Sequence, residues 1–210
     1  KLYADAELWL ENGWLDYFVP QLYWPVSQTA QAYDTLLDYW LAQNPKGRHV
    51  WPGLFTSRIG APTRNYEPEE IIQQIMLTRA RPAAGGHVHF SMAALMENRK
   101  GISDQLKAGP YATQALVPAT PWLSKETPAA PKVTTSKAAG GTRLALAGSA
   151  STAQFAVWSR YGSEWRFAVV PAAAGEWLVA DDGRLGAASA VFVSSVDRLG
   201  IESERIAVLR

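Results

Sequence analysis

The chain has 210 residues, of which 48% are hydrophobic and 19% charged, and its formal net charge is +1. That length holds one large domain or two small ones, and the composition is that of a packed globular protein. The charge balance gives no electrostatic reason to expect nucleic acid or an anionic membrane as partner, and the absence of cysteine excludes disulfides, thiolate metal sites and cysteine nucleophiles.

The first elements alternate between helix and strand. Asp5 can cap a short helix whose apolar face carries Leu8 and Trp9 and whose end suits Gly13. Tyr17–Trp24 (YFVPQLYW) reads as a buried strand. Tyr33, Leu36, Leu37, Trp40 and Leu41 then share one stripe of an amphipathic helix. His49–Phe55 is a second strand, in which Pro52 removes one ladder donor. A long loop, Thr56–Glu67, leads to a helix starting at Pro68, where Glu69 and Glu70 complement the dipole and Ile71, Ile72, Ile75 and Met76 form the buried face. Gly86–Met92 (GHVHFSM) is a third strand, and a helical region over Ala93–Ala108 stops at Gly109-Pro110. This order has the rhythm of parallel βαβ crossovers, and three strands are too few to close an eight-stranded barrel. Opening on a helix, and on Lys1 without a methionine, the chain reads as a piece entered midway through such a repeat.

Ser124–Pro131 (SKETPAAP) has the composition of an interdomain linker. Beyond it come short strands at Lys132–Ser136, Thr142–Ala147, Ala153–Arg160, Trp165–Pro171, Gly175–Val179, Ser189–Val196 and Arg205–Leu209. Short strands separated by Gly-rich turns predict an all-β sandwich. The stretch Ser189–Glu204 resembles the penultimate strand and following turn of fibronectin type III domains: Val196, Asp197, Gly200 and Ser203 match the pattern, with Ser195 in place of its alanine.

In a parallel α/β barrel the chemistry lies at the C-terminal strand ends. Alternation puts Val19, Gln21 and Tyr23 on one face of the first strand, with Leu22 and Trp24 on the other. Gln21 and Tyr23 need polar partners, which a bound sugar or an internal network could provide. Trp24, beside Pro25, is a stacking platform or a core residue. On the third strand His87, His89 and Ser91 alternate with Val88, Phe90 and Met92, so one face is polar, as a barrel interior requires, and the other apolar. His89 and Ser91 sit nearer the rim. His87 and His89 have no carboxylate close in sequence to complete a metal site. The pairs Arg58/Arg64 and Arg79/Arg81 read as solvated surface rather than an anion site.

Carboxylates are the missing part. Glycoside hydrolysis ordinarily uses two carboxyl groups flanking the scissile bond, and none of the three strands ends on Asp or Glu. Asp16 is at the wrong end of its strand, Asp34 and Asp38 lie on a helix, and Glu67, Glu69 and Glu70 begin one. No nucleophile triad, P-loop or dinucleotide fingerprint occurs, so no catalytic residue, metal or cofactor is assigned within the chain.

Gly13–Ser27 (GWLDYFVPQLYWPVS) followed by Ala32–Trp40 (AYDTLLDYW) resembles the glycosyl-hydrolase-like 10 proteins of bacteria. The Glu69–Arg79 helix, the His89–Ser91 strand and the closing Tyr111–Leu123 (YATQALVPATPWL) agree in order with that family. The resemblance covers residues 1–123. It implies a partial (β/α)8 TIM barrel, its last three βα units, with an activity on peptide-free glycan strands of peptidoglycan and an extracytoplasmic location, secreted or lipid-anchored. It also places Gln21, Tyr23 and Trp24 in the substrate groove, with Arg58 and Ser91 as weaker members of the same set.

The expected organisation is therefore 1–123 as barrel, 124–131 as linker and 132–210 as a fibronectin type III-like sandwich. The expected partners are a polysaccharide substrate and either the rest of the barrel or a second copy of this chain. The competing reading is a non-catalytic carbohydrate- or wall-binding module.

Overall fold

The computed structural model describes residues 3–209. The chain divides into two compact units, Lys1–Ala112 and Thr113–Arg210.

In the first unit, α1 (Ala6–Asn12) begins where Asp5 accepts the Leu8 N–H and ends at Gly13, whose φ of 66° closes the helix in the left-handed region. Next come β1 (Tyr17–Phe18), α2 (Tyr33–Ala42), β2 (His49–Val50), β3 (Gly53–Leu54), α3 (Pro68–Arg79) and β4 (Val88–His89). The pairings β1 with β2 and β3 with β4 are both parallel. β2 and β3 are two pieces of the single strand expected over His49–Phe55, divided at Pro52.

Backbone bonding runs through the proline. His49, Trp51 and Gly53 donate to the carbonyls of Asp16, Phe18 and Pro20, while Val88 and Phe90 donate to Pro52 and Leu54. In a parallel ladder the absent Pro52 donor would point to residue 86, just before the third strand begins pairing, so the proline removes no bond the ladder makes. The first strand is shorter than expected for a similar reason. After the Gln21–Gly53 bridge the Leu22 N–H turns back to the Pro20 carbonyl at 3.0 Å, and Tyr23 and Trp24 leave the sheet.

One face of these strands meets the helices. Leu22 and Leu54 pack with Tyr33 and Leu37 of α2 and with Ile71 and Ile75 of α3. The buried hydroxyls of Tyr33 and Thr78 bond to each other at 2.8 Å, tying α2 to α3. On the opposite face Tyr17 stacks on Trp51 and Trp51 on His49, and Tyr17 and Phe90 remain 58% and 51% exposed. The helical region expected over Ala93–Ala108 is two helices, α4 (Met92–Met96) and α5 (Ile102–Ala108). Asn98 breaks it: its backbone is left-handed, and its side chain accepts from the Ser103 N–H and donates to Asp104.

The second unit is antiparallel. A three-stranded sheet runs β5 (Lys132–Ala138), β6 (Gly141–Ala147) and β9 (Glu176–Ala180). A four-stranded sheet runs β11 (Ile206–Leu209), β10 (Ala190–Asp197), β7 (Thr152–Tyr161) and β8 (Glu164–Pro171). Leu144, Leu146 and Val179 of the first sheet share a core with Phe155, Val157, Val170, Val191 and Val193 of the second. The turn after β10 explains its sequence pattern. Asp197 accepts the N–H groups of Leu199 and Ile201, and Ser203 accepts the Ser195 N–H. Gly200 has φ of +76° and lies so near the Val117 carbonyl that a Cβ would stand 2.7 Å from its oxygen. Residues 113–123, expected to close the first domain, belong to this unit: Thr120 bonds Leu199, and Gln114 accepts the Val169 N–H.

Among the described residues no helix is long and apolar enough to cross a membrane.

Candidate functional site

The C-terminal ends of the parallel strands converge on an aromatic cluster with one ring from each strand. Tyr23 lies 4.5 Å from Phe55 and 5.7 Å from Phe90, centroid to centroid, and Phe55 and Phe90 are 5.8 Å apart. The turn Thr56–Arg58 follows directly and places the Arg58 guanidinium 4.6 Å from the Phe55 ring. Arg58 also donates to the Thr63 carbonyl.

Beside this cluster opens a cleft of about 800 Å³, lined among others by Tyr23, Trp24, Gln28, Arg58, Asn65, Tyr66, Glu69 and Gln73. Its walls are held from below. Tyr66 donates its hydroxyl to the Tyr23 carbonyl at 3.0 Å. Glu70 accepts the Val26 N–H and the Gln74 amide, both at 2.8 Å, and the same amide donates to the Trp24 carbonyl at 3.2 Å. The first turn of α3 therefore fixes the loop that carries Trp24. Burial raises the hydroxyl pKa of both Tyr23 and Tyr66 above the usual tyrosine value, so both remain neutral donors and acceptors at ordinary pH.

Three of the six expected site residues, Tyr23, Trp24 and Arg58, line this one cleft. Gln21 is exposed on the strand below and pairs through its backbone with Gly53. The other two are engaged elsewhere. Ser91 bonds Ser57 through its hydroxyl at 3.1 Å, and its N–H donates to the Ser57 hydroxyl at 2.8 Å. His89 bonds the buried Thr56 through Nδ1 and the Tyr111 hydroxyl through Nε2, both at 2.7 Å.

The position of His89 corrects the expected facing of the third strand. His89 pairs with Leu54 and Val88 with Gly53, and paired residues share a face. The polar residues of this strand therefore point to the helix-bearing side, while Val88 and Phe90 occupy the other face with Tyr23 and Phe55. Tyr111 is the reason: its hydroxyl bonds both His87 and His89, and its ring stacks on His87. Burial lowers both histidines to about 4 and raises Tyr111 to about 12. The cluster is neutral at pH 7 and ties residue 111 to the strand.

The amides of the cleft, Gln28, Gln31, Asn65 and Gln73, were not singled out from the sequence. Their signal is a surplus of amide side chains in the loops before α2 and α3 and on α3 itself. Glu67, Glu69 and Glu70 reach the cleft wall as well as beginning a helix, and Glu67 pairs with Lys100. Among the described residues no group of three or more His, Cys, Asp or Glu is placed to hold a metal ion. Amides, tyrosines, an indole, guanidinium groups and carboxylates in an open cleft suit a hydroxyl-rich ligand.

Residues 1–71 match the family model described as Glycosyl hydrolase-like 10. The glycosyl hydrolase YngK of Bacillus subtilis is 39% identical over 140 residues, 63% of this chain and 27% of that protein. The glycosyl hydrolase DigH of Escherichia coli K12 is 34% identical over 97 residues, 42% of this chain and 22% of that protein. The matched stretches thus span about a quarter of the length of these relatives. The segment similar to that family includes β1, β2 and β3 and the loop that carries Tyr23 and Trp24 to the cleft.

Proposed function

We propose that this chain is the C-terminal part of a glycoside hydrolase acting on a bacterial cell-wall polysaccharide, the glycan strands of peptidoglycan, outside the cytoplasm. The observation that carries the reading is the cleft at the strand ends, where Tyr23, Trp24 and Arg58 meet the amides of Gln28 and Asn65. Trp24 is the stacking platform, while Arg58 and the amides bond sugar oxygens. Gln21, on the neighbouring strand face, continues the groove. Ser91 with Ser57, and His89 with Thr56, hold the rim in register.

In this reading the first unit supplies the last three βα units of a (β/α)8 barrel, supported by three parallel strands with α2 and α3 between them. The remaining strands, from the rest of the protein or a second copy, would cover the face that exposes Tyr17 and Phe90. The acid and the nucleophile or base lie on strands from the rest of the protein, which agrees with the lack of Asp and Glu at the strand ends here. The second unit reads as a fibronectin type III-like sandwich, supported by its three-plus-four strand order and by the Asp197–Ser203 turn.

The test is digestion of purified peptide-free glycan strands by the intact protein, followed by product chromatography. Trp24→Ala should lower kcat/KM by about tenfold to a hundredfold, the scale of one lost stacking and positioning contact, with the thermal midpoint kept. An unchanged rate would remove Trp24 from the groove.

A further inference from the structure

A second concave surface lies on the four-stranded sheet of the second unit. The outward face of a sandwich sheet normally alternates polar residues with the inward apolar ones. Here the register puts Phe192, Trp158 and Phe167 in one cross-strand row of the four-stranded sheet, with Arg160 and Trp165 in the next row on the same face. Their neighbours Val191, Val193 and Val157 already fill the core on the other side, so these rings are not needed for closure. Trp158 stands 5.1 Å from Phe167, and Trp165 stands 6.0 Å from Phe192. Trp165 is 52% exposed.

The rings form a trough of about 430 Å³ lined by Trp158, Trp165, Phe192 and Arg205, within the size range of small-ligand sites. Arg205 forms a fixed wall: its guanidinium lies 3.9 Å from the centre of the Trp158 ring, and Glu202 holds it by a bond of 2.7 Å. Glu202 is itself bonded to the buried Ser194, so its carboxylate faces partners within the fold. Arg160 flanks the other end, 5.8 Å from the Trp165 ring, and its bonded partner is the Ser189 hydroxyl.

The chemistry of the lining selects the occupant. The trough offers flat apolar rings, indole N–H groups and guanidinium groups, and no side-chain acceptor among its lining residues. A polypeptide segment would bring backbone N–H groups that need acceptors here. A saccharide brings C–H faces for the rings, and its acetamido carbonyls or carboxylates answer the donors. We propose that the face of the second unit formed by Trp158, Trp165 and Phe192, bounded by Arg160 and Arg205, is an accessory binding site for an acceptor-rich, anionic saccharide. The site goes beyond the groove of the first unit and does not depend on it.

Binding to the full chain, measured by calorimetry and by tryptophan fluorescence, tests this with two probes. One is peptide-free glycan strands, which carry carboxylates, and the other is neutral chitohexaose. Trp165→Ala should weaken strand binding by at least about tenfold, and Arg160→Gln should weaken it less and reduce its salt dependence. Chitohexaose should bind more weakly than the strands at low salt. Tyr23→Ala, in the first unit, should leave the affinity of this site unchanged, so failure here is distinguishable from failure of the cleft. With the cleft disabled by Trp24→Ala, strand binding that survives both Trp165→Ala and Arg160→Gln, with circular dichroism unchanged, overturns the proposal. So does concentration-dependent self-association abolished by the same variants, because the face would then be an interface between copies. If Trp165→Ala fails to fold, Trp165→Leu and Arg160→Gln decide the matter by the same readouts.

Discussion

The two units bury their apolar surface in different ways. The sandwich places Leu144 and Val179 of one sheet against Val157 and Val193 of the other, so its core is closed by its own strands. The first unit buries Leu22 and Leu54 under α2 and α3 on one face of its strands and leaves Tyr17, Val88 and Phe90 exposed on the opposite face. A parallel sheet is ordinarily covered on both sides. The lesson is that the two faces of the same strands carry different burdens: the helix side carries the buried core, and the other side stays open, as the proposed groove and its further strands would require.

Mutation on the two faces breaks or sharpens this contrast. Leu54→Ala, on the helix side and fully buried, should cost about 2–5 kcal/mol of folding stability by leaving a cavity, read from denaturant unfolding followed in the first unit by hydrogen exchange. Acid should destabilise the same side as well. Burial lowers the folded-state pKa of His87 and His89 to about 4 from an ordinary 6.5. Both groups are bases held neutral, so the unfolded chain takes up protons first. Their contribution is present above pH 6.5 and is lost as pH falls from 6.5 toward 4. Imidazole NMR signals that titrate near 4 would bear this out, and midpoints near 6.5 would show that the Tyr111 cluster is open to water. Phe90→Ala should be the mildest, within about 1 kcal/mol, because half of that ring is already in contact with solvent. Equal losses for Leu54→Ala and Phe90→Ala would erase the contrast between the faces.

Much of the sandwich was legible because its strands obey a short-range rule. Alternation over Ser189–Val196 located β10, and the pattern from Asp197 to Ser203 located a turn whose Asp197 and Ser203 side-chain hydrogen bonds span no more than eight residues. The helices of the first unit were legible for the same reason, since Tyr33, Leu37, Ile71 and Ile75 fall on regular stripes. The facing of the third strand was not legible. Alternation separates His87, His89 and Ser91 from Val88 and Phe90, but it cannot say which set points inward. That depends on Thr56 and Tyr111, more than twenty residues away in either direction. The site was legible where one loop carries it, at Tyr23 and Trp24. Its amide wall was not, because Gln28, Asn65 and Gln73 meet only when the loop before α2 is brought against α3 and the loop that precedes it.

The central claim is that this chain builds one wall of a glycosidase groove whose acid and base lie on other strands. Digestion of peptide-free glycan strands by the intact protein, set beside the same assay of the 210-residue chain alone, tests it most directly. The account predicts released saccharides from the intact protein and none from the chain alone, which should still bind the strands. Hydrolysis by the chain alone would contradict it, and would place the reacting carboxylates among Glu67, Glu69 and Glu70 at the cleft wall.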